Sequence, residues 1–208
     1  MVRLLAGGAA AMLAGWGRNR PRRPPLPPIL LPRTPMSRTA SASPWFATLN
    51  LLIALACVGI LGGALWLQQT QGALPCALCV LQRMAYLGLL VFSLLAALGF
   101  KLGLRGLTRL ALWLALLAAL IGLIFAAKHV WLVFHPEQTC GLDPLALRIN
   151  HWGVTALAPW LLRADGLCSD IPYLFGLPLP LLSGIGFVGL GLLTGLSLSA
   201  AGRMRRQA

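Results

Sequence analysis

Leu110-Ala-Leu-Trp-Leu-Ala-Leu-Leu-Ala-Ala-Leu-Ile-Gly-Leu-Ile-Phe-Ala-Ala-Lys-His-Val-Trp-Leu-Val-Phe134 decides the fold. It holds one cation, Lys128, near its end and no acid. About 20 helical residues cross a hydrocarbon core, so this run is long enough to span. Three other stretches qualify: Phe46 to Leu67, about Val80 to Phe100, and about Leu179 to Ala201. Backbone groups in lipid must be paired within their own segment, which makes these runs helices. Strands of a membrane barrel would be about ten residues long and alternate in polarity, and these do not. The expected fold is an all-α membrane protein, a bundle of four transmembrane helices with a long extracytoplasmic loop between the third and fourth.

Composition agrees. Of the 208 residues 58% are hydrophobic and 10% charged, against about 25% charged in a soluble domain. The net charge of +13 suggests nucleic acid until its distribution is read. The Arg/Pro tract at residues 18–38 carries no aromatic interleaved for base stacking, so no nucleic-acid partner is expected. The basic residues instead fringe the apolar segments, as at the cytoplasmic ends of membrane proteins.

Those charges set the topology. Lys101, Arg105 and Arg109 lie between the second and third spans, Arg203, Arg205 and Arg206 follow the fourth, and the N-terminal flank is basic. All three segments should be cytoplasmic. Two connections remain for the other side: an uncharged one from Gln68 to Pro75, and a long one from about His135 to Leu177. Every acid in the chain, Glu137, Asp143, Asp165 and Asp170, falls in the long one. The expected location is a bacterial inner membrane, crossed several times, with both termini inside and the cysteine loops periplasmic.

The chain divides into residues 1–44 and 45–208. The first part is basic and Pro/Arg-rich and has too little apolar surface to fold, so disorder is expected. Met36 offers an alternative start. The second part is the four-helix domain. Within its long loop, Leu147 to Arg163 is apolar, with Trp152 and Trp160, yet too short to span. It reads as one or two short helices on the membrane surface, or as a loop folded on the bundle.

Cys57 falls mid-span in the first helix, where a thiol behaves as a small hydrophobe. The other four cysteines share the aqueous face opposite the basic one: Cys76 and Cys79 at the mouth of the second helix, Cys140 and Cys168 in the long loop. Thiols outside the cytoplasm usually oxidise. A CxxC at a helix start sits in the positive field of the N-terminus, which favours the thiolate, the species that attacks a disulfide. Arg83 follows Cys79 one turn deeper, on the same helix face. A cation just inside a span is costly and marks function, unless it snorkels to the interface.

Two other readings stay open from the residues alone. One is a pair of passive stabilising disulfides, though a CxxC closes too small a loop to stabilise much. The other is a zinc site with four cysteine ligands, for which the wide spacing of Cys140 and Cys168 is unlike the close ligand pairs of zinc sites.

Pro75-Cys-Ala-Leu-Cys-Val-Leu-Gln-Arg83 resembles the disulfide bond formation protein B family, DsbB. The resemblance runs from Trp45 to about Arg206. It takes in four spans, the CxxC followed by Arg, Lys128-His129-Val-Trp-Leu132, Cys140, Cys168, and Phe175-Gly-Leu-Pro-Leu-Pro180 before the fourth span. It implies a protein-dithiol:quinone oxidoreductase that reoxidises a periplasmic thioredoxin-fold oxidase of the DsbA type. The implied cofactor is a quinone, ubiquinone or menaquinone, drawn from the membrane pool, and no metal is implied. Cys140 and Cys168 would form the disulfide that meets the partner, with Cys140 taking the mixed disulfide. Electrons would pass to the Cys76–Cys79 disulfide. Cys79 would face the quinone ring, Arg83 would stabilise negative charge on quinone and thiolate, and His129 matches a family position near the quinone.

Overall fold

Each apolar run becomes a helix longer than its hydrophobic stretch. In the computed structural model α1 spans Pro44–Gln71, α2 Ala77–Lys101, α3 Arg105–Phe134 and α7 Leu179–Arg206. Each of the four is long and apolar enough to cross a membrane. The structure describes residues 44–72, 74–135, 144–168, 173–174 and 176–206. The extension at residues 1–43, with Met36, and Cys140 lie outside the described residues.

Outward faces of the spans carry large apolar side chains such as Trp113, Ile124 and Leu192. That is the pattern expected where lipid, not water, is the solvent. Inside, small residues let the backbones approach. Ala115, Ala119 and Ala126 of α3 face Tyr86 and Leu89 of α2 and Phe187 of α7 in one core. Tyr86 and Phe187 stack with ring centroids 4.0 Å apart, and a Cβ at Gly122 would run into the Phe187 ring.

The α2–α3 corner shows why so short a basic turn suffices. Gly103 takes φ +71, and the Leu104 and Gly103 amides bond back to Gly99 and Phe100 oxygens at 2.8 and 3.1 Å. This pair of bonds closes a helix end once the chain enters the left-handed region, which glycine enters without strain. Lys101 sits in the last turn of α2, where the helix dipole favours a cation. Helix direction then puts Lys101, Arg105 and Arg109 at the end of the bundle opposite Cys76.

The long connection folds as three short helices, α4 Pro144–Asn150, α5 Gly153–Leu157 and α6 Pro159–Leu162. Ile149, Leu161, Leu162 and Ala164 pack on Ala77 and Val80 at the start of α2. Trp152, Val154, Leu157 and Trp160 stay exposed, so this layer has one apolar face on the bundle and another free. Two features departed from expectation. Gln68 to Gln71 continue α1 instead of opening a loop. A two-residue antiparallel pair, β1 Tyr173–Leu174 with β2 Leu177–Pro178, precedes α7. It turns at Gly176, φ +76, and Pro180 then falls in the first turn of α7, where its missing amide costs no hydrogen bond.

Candidate functional site

Cys76 is the N-cap of α2: its sulphur accepts from the Cys79 amide at 3.3 Å. This fixes the CxxC on the first turn, with the two sulphurs 3.0 Å apart. Cys76 is 2% exposed and Cys79 half-buried. From α3, the buried His129 reaches both, with Nε2 3.7 Å from Cys76 Sγ and Nδ1 3.9 Å from Cys79 Sγ. The Gln82 amide nitrogen lies 3.3 Å from His129 Nδ1.

Cys168 joins this group through backbone contacts of the long connection. The amides of Asp165 and Gly166 both donate to the oxygen of Pro75, the residue before Cys76, at 3.1 Å. The Asn150 side chain pairs with the backbone of Ala164 on both sides, at 2.8 and 3.0 Å. So clamped, the segment sets the Cys168 thiol in hydrogen-bond contact with Cys76. Hydrogen bonds to the sulphurs of Cys168 and Cys79, with burial, hold the Cys76 proton well above the usual thiol range. Cys168 is drawn down to about 7, chiefly because the Cys76 thiol bonds to its sulphur, with help from the nearby His129. The cluster thus divides its labour: Cys76 keeps its proton, while Cys168 gives its own up near neutral pH.

Arg83 is 8% exposed. Its Nη1 donates to Gln68 Oε1 at 2.9 Å and to the Leu161 oxygen at 3.0 Å. It therefore ties α1, α2 and α6 together while lining the same cavity as Cys79. That cavity, about 460 Å³, lies among the spans beside the cysteines. Its polar wall includes Gln68, Gln82, Arg83, Tyr86, His129 and Ser183, and its apolar wall includes Ile60, Leu67, Leu74, Leu179 and Leu182.

The expected residues Cys76, Cys79, Cys168 and His129 thus converge, and Arg83 adjoins them across the cavity. Cys57 is fully buried in the apolar core. Gln82, Gln68 and Tyr86 were not anticipated. A polar side chain inside an apolar span was the available signal for Gln82 and Tyr86. Gln68 was read as loop, which hid its reach to Arg83.

A helical membrane bundle holding three thiols and an imidazole at one rim defines a membrane thiol–disulfide protein. The family model described as Disulfide bond formation protein DsbB matches residues 46–197. A Disulfide bond formation protein B of Ralstonia nicotianae is 43% identical over 145 residues, 68% of this chain and 87% of the relative. One from Cupriavidus necator is 41% identical over 133 residues, 62% of this chain and 78% of the relative. Disulfide bond formation protein B 1 of Pseudomonas putida is 36% identical over 159 residues, 76% and 91%. The chain belongs to the DsbB family of multi-pass membrane, disulfide-forming oxidoreductases.

Proposed function

We propose that this protein reoxidises a soluble thioredoxin-fold thiol oxidase of the DsbA type and delivers the electron pair to a membrane quinone. The observation that carries the reading is that Cys79 and Arg83 line one cavity among the spans, while Cys76 touches both Cys79 and Cys168.

The thiol steps balance as exchanges. A partner thiolate attacks Cys140 of the Cys140–Cys168 disulfide, giving a mixed disulfide and freeing Cys168. The second partner thiol then displaces Cys140, so the partner leaves oxidised and Cys140 and Cys168 remain as thiols. Cys168, deprotonated near neutral pH, is the group suited to attack the sulphur of Cys76 in the Cys76–Cys79 disulfide. Cys79 leaves as a thiolate at the cavity wall. Attack of Cys140 on the resulting Cys76–Cys168 bond restores the loop disulfide and leaves Cys76 and Cys79 reduced.

The cavity suits a quinone ring. It is largely apolar, and the Arg83 guanidinium, the Gln82 amide and the His129 imidazole in its wall are groups able to donate to carbonyl oxygens. A bound quinone supplies an acceptor for two electrons and two protons. A DsbA-type partner is already a strong oxidant, about −120 mV, so the acceptor must be stronger still. Arg83 holds negative charge at the cavity, and His129, between both cysteines, is placed to pass the thiol protons on. By the charge rule the cysteine rim faces the periplasm and both termini the cytoplasm of a bacterial inner membrane.

Purified protein in detergent, given a reduced DsbA-type oxidase and a soluble ubiquinone analogue, should bleach the quinone absorbance and oxidise the partner one for one. A well-folded preparation that leaves the quinone untouched rejects the reading.

A further inference from the structure

In the dithiol form, Cys76, Cys79 and His129 each offer one donor atom, all within 4.8 Å of one another. A tetrahedral d10 ion, with bonds of about 2.3 Å to sulphur and about 2.0–2.1 Å to nitrogen, wants neighbouring donors roughly 3.5–3.8 Å apart. The Cys76 Sγ–His129 Nε2 spacing of 3.7 Å falls in that range, while the 3.9 Å from Cys79 Sγ runs to the other ring nitrogen. The sulphur–sulphur spacing of 3.0 Å needs only a small side-chain rotation to open.

We propose that the reduced protein has a second activity: it captures one zinc-class divalent ion, Zn²⁺ or Cd²⁺, on Cys76, Cys79 and His129, with water in the fourth position. The ligation is not redox chemistry. Two thiols lose their protons to solvent, two thiolates and one neutral imidazole bind, and the net charge at the centre is zero. The ring is already steered for ligation through Nε2, because Nδ1 faces the Gln82 side chain, whose amide oxygen, once the amide is turned, accepts from Nδ1–H. Such partners orient metal-binding histidines and raise affinity. Capture and disulfide formation exclude each other, since sulphurs joined as a disulfide have no thiolate to offer. Bound metal would therefore hold the cysteine pair reduced and stop turnover. That consequence rests on the reading of Cys76–Cys79 as the working pair; the binding itself does not.

The test is a Cd²⁺ titration of the whole detergent-solubilised protein, reduced with a phosphine and then freed of it, followed by native mass spectrometry and thiolate-to-cadmium charge-transfer absorption. The expected result is one ion per reduced chain and none on the same protein oxidised at Cys76–Cys79, which serves as a folded control. Replacing one ligand by His129→Ala should weaken binding by about tenfold or more, and Cys140→Ser should leave it unchanged. Equal binding by reduced and oxidised protein, or unchanged affinity in both His129→Ala and Cys79→Ser, overturns the site. Neither result bears on whether the protein reduces a quinone.

Discussion

Arg83 Nη1 donates to the main-chain oxygen of Leu161 at 3.0 Å, so a cation inside α2 holds down the short helix above it. The same nitrogen holds Gln68 of α1. A lysine keeps the charge but offers a single ammonium in place of the planar fork. Arg83→Ala should raise the quinone KM by about tenfold or more, since hydrogen bonds to charged groups contribute about 1.5–3 kcal/mol. Arg83→Lys should recover only part of that loss. Steady-state quinone reduction checks it, and an unchanged KM in Arg83→Ala would remove Arg83 from the quinone site.

Cys168 supplies a pH dependence with a definite sign. Its proton affinity falls from 9.0 to about 7, so the thiolate is the majority form above neutrality and is lost below it. Alkylation of reduced protein, read on the peptide carrying Cys168, should accelerate about tenfold per unit below pH 7 and level off above it. A rate still climbing toward pH 9 would show an ordinary thiol. Because the contact with Cys76 is the main cause, Cys76→Ala should move the plateau upward.

Gly166 holds the clamp that presents Cys168. A Cβ there would strike the Leu74 carbonyl, beside the Pro75 oxygen that accepts both amides. Gly166→Ala should therefore reduce copper-catalysed crosslinking of Cys76 to Cys168 several-fold in a chain lacking Cys79 and Cys140. Crosslinking at the parent yield would mean the clamp does not position the thiol.

The cysteines themselves separate by role. Cys76→Ser or Cys79→Ser should abolish turnover. Cys140→Ser should block oxidation of the partner while quinone still binds. Cys57 sits fully buried among Ile53, Tyr86 and Leu89, far from these exchanges in sequence and chemistry. Cys57→Ala should cost about 1 kcal/mol of stability, as one buried group lost, with the rate per folded molecule unchanged. Partner oxidation and thermal unfolding, measured side by side, distinguish the cases.

Much of this was readable from residues because lipid imposes a coarse rule: long apolar runs must be helices, and their basic flanks must lie together. The CxxC at a helix mouth and Arg83 on the face of Cys79 followed from helical periodicity alone. What the sequence hid depends on three-dimensional proximity. Nothing along the chain says that Cys168 meets Cys76 and not Cys79, because that choice is made by backbone bonds from Asp165 and Gly166 to Pro75. Gln68 was invisible for a related reason. Polar residues after an apolar run look like loop, and only a partner such as Arg83 makes an extra turn of helix worthwhile.

The cavity permits a test that leaves every polar group in place. Gly63 lines it, and a Cβ there meets nothing within 4 Å. Gly62, its neighbour in α1, also has room for a Cβ but is not among the lining residues. Gly63→Leu should fold, since it adds bulk to open space and not to packed core, yet its side chain takes volume from the roughly 460 Å³ available. The quinone KM should rise by about tenfold or more, a loss of at least ~1.4 kcal/mol of binding, with thiol exchange between the partner and the loop cysteines untouched. Gly62→Leu carries the same change in helix propensity outside the cavity, so it should leave KM where it was. Equal effects from the two would place quinone reduction elsewhere on the protein.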